Sequence, residues 1–185
     1  MSITINKATG LIRQARQVIS PNYDARPPGC DPSLIVVHAI SLPPGEFGGD
    51  EIDKLFCNRL DSAAHPYFAE IATLKVSAHA LIRRDGNLIQ YVPLDQRAWH
   101  AGESCFKDRA ACNDYSIGIE LEGDDYNNFT DRQYAKLVQL CHALEKHFSN
   151  ISCDRIVGHC DISPGRKTDP GPFFDWKRLR KALQE

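Results

Sequence analysis

Short apolar runs alternate along this chain with stretches rich in proline, glycine and charged residues. The strongest run, residues 34–37, has four apolar residues of which three are β-branched, and His38 closes it. Such a run predicts a strand buried on both faces. Residues 155–158 lead in the same way to His159. Two predicted strands therefore end on an imidazole, at the position where open α/β sheets place their ligands.

Two further regions predict strands. Residues 76–82 and 88–92 flank an Asp-Gly step, and such a step between β-like runs favours a hairpin. Residues 115–123 alternate between aliphatic and other side chains. The non-aliphatic face carries two small residues and two acids, namely Ser116, Gly118, Glu120 and Glu122. We expect this face to line an open cleft rather than to pack against another layer.

Helical spacing is clearest after Thr130, which forms a capping box with Gln133. Apolar residues then recur every three or four positions as far as Phe148, which predicts an amphipathic helix. Weaker patterns predict short helices at residues 50–59 and near the C-terminus. Because strands and helices alternate and one hairpin is evident, we expect an α/β fold with a central mixed sheet flanked by helices. We expect one domain over residues 1–185.

Composition and the N-terminal region narrow the class of protein. Residues 1–33 are dense in proline and glycine, which predicts an irregular arm packed on the domain. The net charge of −2, with both signs interspersed, argues against nucleic acid or an anionic membrane as a partner. The seven cysteines are odd in number and form no C-x-x-C pair, so free thiols in a reducing compartment are expected. With no leader and no apolar span, the sequence favours a cytoplasmic location, and it does not indicate an oligomeric state.

The two strand-ending histidines indicate a zinc site. Imidazoles favour zinc over calcium or magnesium, and two imidazoles with one carboxylate leave a fourth position open for chemistry. Asp169 is the favoured carboxylate, because prolines on both sides of its loop restrict it. Asp161 is the alternative, although its position directly after the strand is typical of a loop-capping residue. We therefore expect His38, His159 and Asp169 to bind Zn²⁺ in a groove at the strand ends.

The loop after His159 and the small-residue strand face supply candidate catalytic groups. Three prolines predict that the loop is not helical. Lys167 lies two residues from Asp169 and is a candidate to stabilise an oxyanion, an effect of about 3 kcal/mol. Glu120 is the candidate general base, and Glu122 on the same strand face is the alternative.

The other five histidines are weaker candidates for metal-binding or catalytic residues. His142 and His147 lie on the predicted helix, and His65 precedes a proline, so each is interpreted as an ordinary surface or packed residue. His79 has apolar neighbours and is at least as easily a core histidine as a site residue. For His100, pocket lining and a structural role are equally supported.

Six segments resemble one family: residues 34–38, 41–45, 76–79, 99–102, 118–123 and 158–171. They are similar to the cytoplasmic 1,6-anhydro-N-acetylmuramyl-L-alanine amidases of Gram-negative bacteria. These enzymes belong to the zinc amidase superfamily that includes phage amidases and peptidoglycan recognition proteins. The resemblance extends over nearly the whole chain. It implies that His38, His159 and Asp169 are the zinc ligands, Glu120 the catalytic glutamate and Lys167 the oxyanion lysine.

The resemblance also implies a reaction. A small anhydromuramyl peptide would be cleaved between the lactyl group of 1,6-anhydro-N-acetylmuramic acid and L-alanine, in peptidoglycan recycling and indirectly in β-lactamase regulation. Candidate substrate-binding residues are Ala39, Tyr67, Lys75, Trp99, His100 and Asn113. A non-catalytic peptidoglycan-binding module of the same fold is the main alternative, but such relatives tend to lose a metal ligand. An exported amidase that lyses intact wall is less favoured.

Two positions depart from the family pattern. Ala39 stands where the residue after the first histidine ligand is usually Asn, and Ala111 stands where Arg often precedes Cys112. Both usual side chains would contact substrate, the Arg as a carboxylate clamp. We expect these changes to alter substrate affinity or selectivity while zinc binding and basal chemistry persist.

Overall fold

A computed structural model describes residues 2–185. Its strands are β1 (Arg16–Gln17), β2 (Tyr23–Ala25), β3 (Leu34–Ile40), β4 (Ala80–Ile82), β5 (Leu88–Gln90), β6 (Gln96–Ala98), β7 (Cys105–Phe106), β8 (Arg109–Ala110), β9 (Ser116–Glu122) and β10 (Ile156–Gly158). Its α-helices are α1 (Glu51–Phe56), α2 (Pro66–Ile71), α3 (Asp131–His147), α4 (His159–Ile162) and α5 (Trp176–Ala182). Six strands form a mixed sheet in the order β1-β5-β4-β9-β3-β10. The predicted α/β class is confirmed.

At one side of the sheet, β3 pairs in parallel with β9 and with the edge strand β10. The apolar run of β3 is fully buried, as its β-branched composition predicts. His38 lies opposite Glu120 in the β3–β9 pair, and Val37 lies opposite Gly158 in the β3–β10 pair. Because parallel strands end at the same edge of a sheet, His38, Glu120 and His159 are brought together there.

Helices cover both faces of this sheet. The capping box of Thr130 and Gln133 begins α3 as predicted, and α3 buries an apolar stripe against one face. On the opposite face, α1 and α2 pack Leu55 and Phe68 into a second cluster. Each such buried side chain contributes about 1.5–3 kcal/mol relative to an exposed one. Within residues 2–185, no helix combines the length and the hydropathy that crossing a bilayer requires.

Three local predictions differ from the structure. The predicted hairpin is present as antiparallel β4 and β5, but β4 is shorter than residues 76–82. The N-terminal arm contains β1, which extends the main sheet, and β2, which pairs with β6, so residues 2–33 are not irregular throughout. The prolines predict no helix in the loop after β10, and this prediction is wrong for α4. This single turn ends at Ile162, before Pro164 can interfere with it.

His79 is a core histidine rather than a residue of the strand-end site. It has no exposed surface, and its Nδ1 accepts a hydrogen bond from the Gly118 N–H at 3.0 Å. Its Nε2 therefore carries the proton and donates to the Gln96 carbonyl, also at 3.0 Å. Burial lowers the pKa of His79 to about 3. The folded chain thus holds this imidazole neutral.

We expect this buried imidazole to make stability depend on pH. Its pKa is about 3 in the folded chain, against about 6.5 when unfolded, so the stability it contributes is complete above pH 6.5 and is lost as pH falls. The unfolding free energy of the wild type should fall by about 2 kcal/mol more than that of His79→Gln between pH 7 and pH 5. Urea unfolding of both proteins with chelator present measures this difference. An identical pH dependence in the two proteins would contradict the prediction.

Candidate active site

Three potential metal ligands converge at the carboxyl ends of β3 and β10. Nδ1 of His38 lies 3.0 Å from Nδ1 of His159. Oδ2 of Asp169 lies 3.0 Å from the first nitrogen and 3.1 Å from the second. Both imidazoles are buried, and Asp169 is partly exposed. Within residues 2–185, this is the one group of three or more histidine, cysteine or acidic residues whose ligand atoms lie within 4.8 Å of one another.

The protonation states of this cluster fit a metal ion. Nε2 of His159 lies 3.1 Å from the Ala101 carbonyl oxygen, which can only accept, so Nε2 carries the proton and Nδ1 presents a lone pair. Burial lowers the pKa of His38, which keeps it neutral. Burial alone would raise the pKa of Asp169, but its contacts with His159 and His38 outweigh burial and lower that pKa. An ionised carboxylate and two imidazoles are a donor set that Zn²⁺ favours.

The alternative carboxylate has a different role. Asp161 is exposed and accepts a 2.7 Å hydrogen bond from the Gly158 N–H, so it caps the first turn of α4. The Cys160 N–H donates to the Asp169 carbonyl at 2.9 Å, which ties the start of α4 to the loop that follows it. The structure therefore places Asp169, and not Asp161, against the two imidazoles.

Glu120 is a buried carboxyl group with a free oxygen. Only 8% of its surface is exposed, and its buried Oε2 has no hydrogen-bond partner within residues 2–185. Burial raises the pKa of Glu120 well above its usual value, and the nearby Asp169 raises it further, while Lys167 acts in the opposite direction. A carboxyl group that is not committed to any partner is available to exchange a proton.

Both carboxylate oxygens of Glu122, the alternative general base, accept hydrogen bonds from other residues. Its Oε1 accepts from Arg83 at 2.8 Å and from the Gly48 N–H at 2.7 Å, while its Oε2 accepts from the Arg84 N–H at 3.0 Å. The expectation that this strand face lines an open cleft is wrong, because every residue of β9 is buried. Instead the ring of His100 covers Gly118, where a Cβ atom would lie 2.6 Å from the ring nitrogen Nδ1.

A groove leads to the cluster. It has a cavity of about 440 Å³, and Lys167 and Asp169 form part of its wall. Of the six candidate substrate-binding residues, Ala39 and Tyr67 line this cavity. Two larger cavities of about 670 and 740 Å³ lie elsewhere, and neither includes a residue of the metal cluster.

The other four candidate residues lie outside the cavity wall. Lys75 is exposed. The Trp99 indole N–H donates to Asp24 at 3.1 Å. Oδ1 of Asn113 accepts from the backbone N–H groups of residues 100 and 101, at 3.1 and 2.8 Å. His100 lies behind His38, with its Nδ1 2.9 Å from Nε2 of His38. Trp99, Asn113 and His100 therefore form hydrogen bonds inside the fold, and substrate contact by any of these four residues stays a prediction.

The sequence pattern does not indicate a role for two residues near the site. Tyr126 is 82% exposed and lines the groove, in a turn that Asp124 caps. Arg166 also lines the groove and donates to the Ala101 carbonyl at 2.6 Å, the oxygen that accepts from His159. An aromatic residue in a polar loop directly after a strand was a usable signal for Tyr126. Arg166 had no such signal, because two of its acceptors are the backbone carbonyls of Ala101 and Glu103, which are distant in sequence.

Comparison with known proteins identifies the family. The model of the N-acetylmuramoyl-L-alanine amidase family matches residues 28–172. The 1,6-anhydro-N-acetylmuramyl-L-alanine amidase AmpD of Citrobacter freundii is 58% identical over 174 residues, which cover 94% of this chain and 92% of that protein.

Solved structures agree with this match. A crystal structure of a selenomethionine derivative of AmpD has a TM-score of 0.93 at 56% identity, covering 97% of this chain and 98% of that chain. The complex of the amidase AmiD from Escherichia coli with anhydro-N-acetylmuramic acid-L-Ala-D-γ-Glu-L-Lys has a TM-score of 0.60 at 25% identity, covering 98% of this chain and 65% of that chain. The chain belongs to the N-acetylmuramoyl-L-alanine amidase family and matches its AmpD members over nearly its full length.

Proposed function

We propose that this chain is a zinc-dependent amidase of peptidoglycan recycling. Its substrate is an anhydromuramyl peptide, which it cleaves between the lactyl group of 1,6-anhydro-N-acetylmuramic acid and L-alanine. The observation that carries the proposal is the convergence of His38, His159 and Asp169 beside a buried carboxyl group, Glu120. The names of the AmpD relatives and the ligand of the AmiD complex support the choice of substrate. Seven free cysteines support a reducing, cytoplasmic location.

His38, His159 and Asp169 would hold the zinc ion through Nδ1, Nδ1 and a carboxylate oxygen. Bound there, zinc would polarise the scissile carbonyl and make the attacking water more acidic. The remaining chemistry belongs to the chain. Burial of both imidazoles keeps the ligand atoms in place, and the groove beside Asp169 gives a substrate one open approach.

Glu120 acts as the proton carrier. In its ionised form, Glu120 takes the proton from the attacking water on its unpartnered Oε2 as the water oxygen bonds to the carbonyl carbon. It then passes the proton to the nitrogen of L-alanine as the C–N bond breaks, giving a carboxylic acid and a free amine. Lys167, on the groove wall, supplies positive charge to the oxygen that becomes negative during attack.

The decisive experiment is turnover of a purified anhydromuramyl peptide with and without a chelator. We expect release of the free stem peptide, its loss on metal removal and its recovery on adding zinc. Turnover that survives complete removal of metal would rule out the proposed chemistry. Binding of the peptide without cleavage at any zinc concentration would favour the binding-module alternative. Equal activity on intact sacculi would instead support the wall-lytic alternative.

A further inference from the structure

His100 stands between a proposed metal ligand and the strand behind it. Nδ1 of His100 lies 2.9 Å from Nε2 of His38. On the other side of the ring, Nε2 of His100 lies 3.1 Å from Oγ of Ser116. Oγ of Ser116 in turn lies 2.6 Å from the carbonyl oxygen of Cys112. These four residues form one continuous chain of hydrogen bonds that ends at a backbone carbonyl.

The last acceptor in this series, the carbonyl oxygen of Cys112, determines which group donates and which accepts in each of these hydrogen bonds. A carbonyl oxygen cannot donate, so the single hydroxyl proton of Ser116 points at Cys112. Ser116 can then only accept from His100, which places the proton of a neutral His100 on Nε2. The bare Nδ1 of His100 accepts from Nε2–H of His38. His38 is left with a bare Nδ1, the atom that faces His159 and Asp169.

The position of the His100 ring is fixed by packing as well as by hydrogen bonds. The ring lies against the backbone of Gly118, where any Cβ atom would overlap it. The backbone N–H of His100 donates to Oδ1 of Asn113 at 3.1 Å. Because these contacts hold the His100 ring in place, its bare Nδ1 stays directed at Nε2 of His38.

We propose that His100, oriented by Ser116, is a positioning residue that holds His38 in the tautomer whose Nδ1 is free to bind the metal ion. The inference rests on the proposed metal site and not on the identity of the substrate. Without the acceptor of His100, the proton of His38 can move to Nδ1 and block the ligand atom. Outer partners of this kind are worth about 10–100-fold in metal affinity.

Nitrogen NMR of the histidine side chains in the metal-free protein tests the tautomer directly. We expect His38 in the Nε2–H form in the wild type and a mixture of forms in His100→Ala. His159 is an internal reference, because its proton is fixed by the Ala101 carbonyl and should not move. A wild type with the proton of His38 on Nδ1, or a variant with an unchanged His38 tautomer, would overturn the proposal.

Zinc affinity, measured by competition with a chromophoric chelator, is the second readout. We expect His100→Ala to bind zinc about 10–100-fold more weakly, and His100→Asn to recover much of the loss because Oδ1 of Asn can accept near the position of Nδ1. His79→Gln is the matched control: His79 is a neighbouring buried histidine whose ring has no hydrogen bond to His38 or His100. A merely structural role would lower the unfolding free energy of His100→Ala and leave its zinc affinity unchanged, which would contradict the proposal.

Ser116→Ala covers the case in which His100→Ala does not fold. This variant keeps the ring and removes its oriented acceptor, so the same tautomer mixture and a smaller loss of zinc affinity are expected. Unchanged values for both in a folded Ser116→Ala protein would refute the proposal. If the wild type binds no zinc at all, the proposed function fails, while the tautomer measurement still decides the role of His100.

Discussion

Replacing Glu120 with glutamine should lower kcat by about 10²–10⁴-fold and leave zinc binding intact. Glutamine has the same shape but cannot take a proton from water. Because burial raises the pKa of Glu120 and its Oε2 has no partner, the ionised form is costly in the folded chain. The variant should therefore be at least as stable as the wild type. Steady-state kinetics, zinc content and urea unfolding measure the three quantities.

Glu122→Gln is the matched control for this experiment, since it changes the other acid of the same strand. Glu122 forms a buried ion pair with Arg83 at 2.8 Å, and removing its charge should lower the unfolding free energy by a few kcal/mol. At a temperature where the variant is folded, kcat should stay within a few-fold of the wild type. A Glu120→Gln enzyme with nearly full kcat, or an equal loss in both variants, would show that Glu120 is not the proton carrier.

The second large effect is expected for Asp169→Asn. This change removes the one anionic ligand of the cluster, so zinc affinity should fall by more than the roughly 100-fold expected for an outer partner, and hydrolysis should drop to background. Asp161→Asn changes the other acid near His159. It should weaken only the cap of α4, by about 1 kcal/mol or less, and keep zinc and activity.

Zinc-dependent stabilisation separates these two variants without any substrate. A ligand that binds only the folded chain adds about 2.7 kcal/mol at a concentration 100 times its Kd. The unfolding midpoints of the wild type and Asp161→Asn should rise with added zinc, whereas that of Asp169→Asn should not. If zinc stabilised Asp169→Asn, or failed to stabilise Asp161→Asn, the third zinc ligand could not be assigned to Asp169.

The features that sequence predicted best are those that depend on short stretches of chain. Residues 34–37 form a buried strand because all four side chains are apolar, so neither face of the strand is polar. The capping box of Thr130 and Gln133 begins α3 because the two side chains accept hydrogen bonds from backbone N–H groups at the start of the helix. His38 and His159 could also be recognised from short stretches, because each one directly follows a strand pattern. Their meeting with Asp169 follows from a parallel pairing of strands more than a hundred residues apart.

The features that sequence missed depend on contacts across the fold. Small and acidic residues on β9 resembled an open cleft, but Gly118 is small because the ring of His100 lies on it. The role of Ser116 is visible only when His100 and the Cys112 carbonyl are placed on either side of it. The turn α4 was missed because the restriction imposed by Pro164 begins after Ile162.

The position of β10 in the sheet determines when the newly made chain can bind a metal ion. This three-residue strand is at the edge of the sheet, pairs with β3 alone and leads directly into His159 and then to Asp169. A nascent chain that stops before β10 contains one of the three metal-binding side chains, so the ion can be captured only after the final strand has docked. Once bound, the ion ties an early strand to the last part of the polypeptide, and losing it should release the β10 edge to proteases before the rest of the sheet opens.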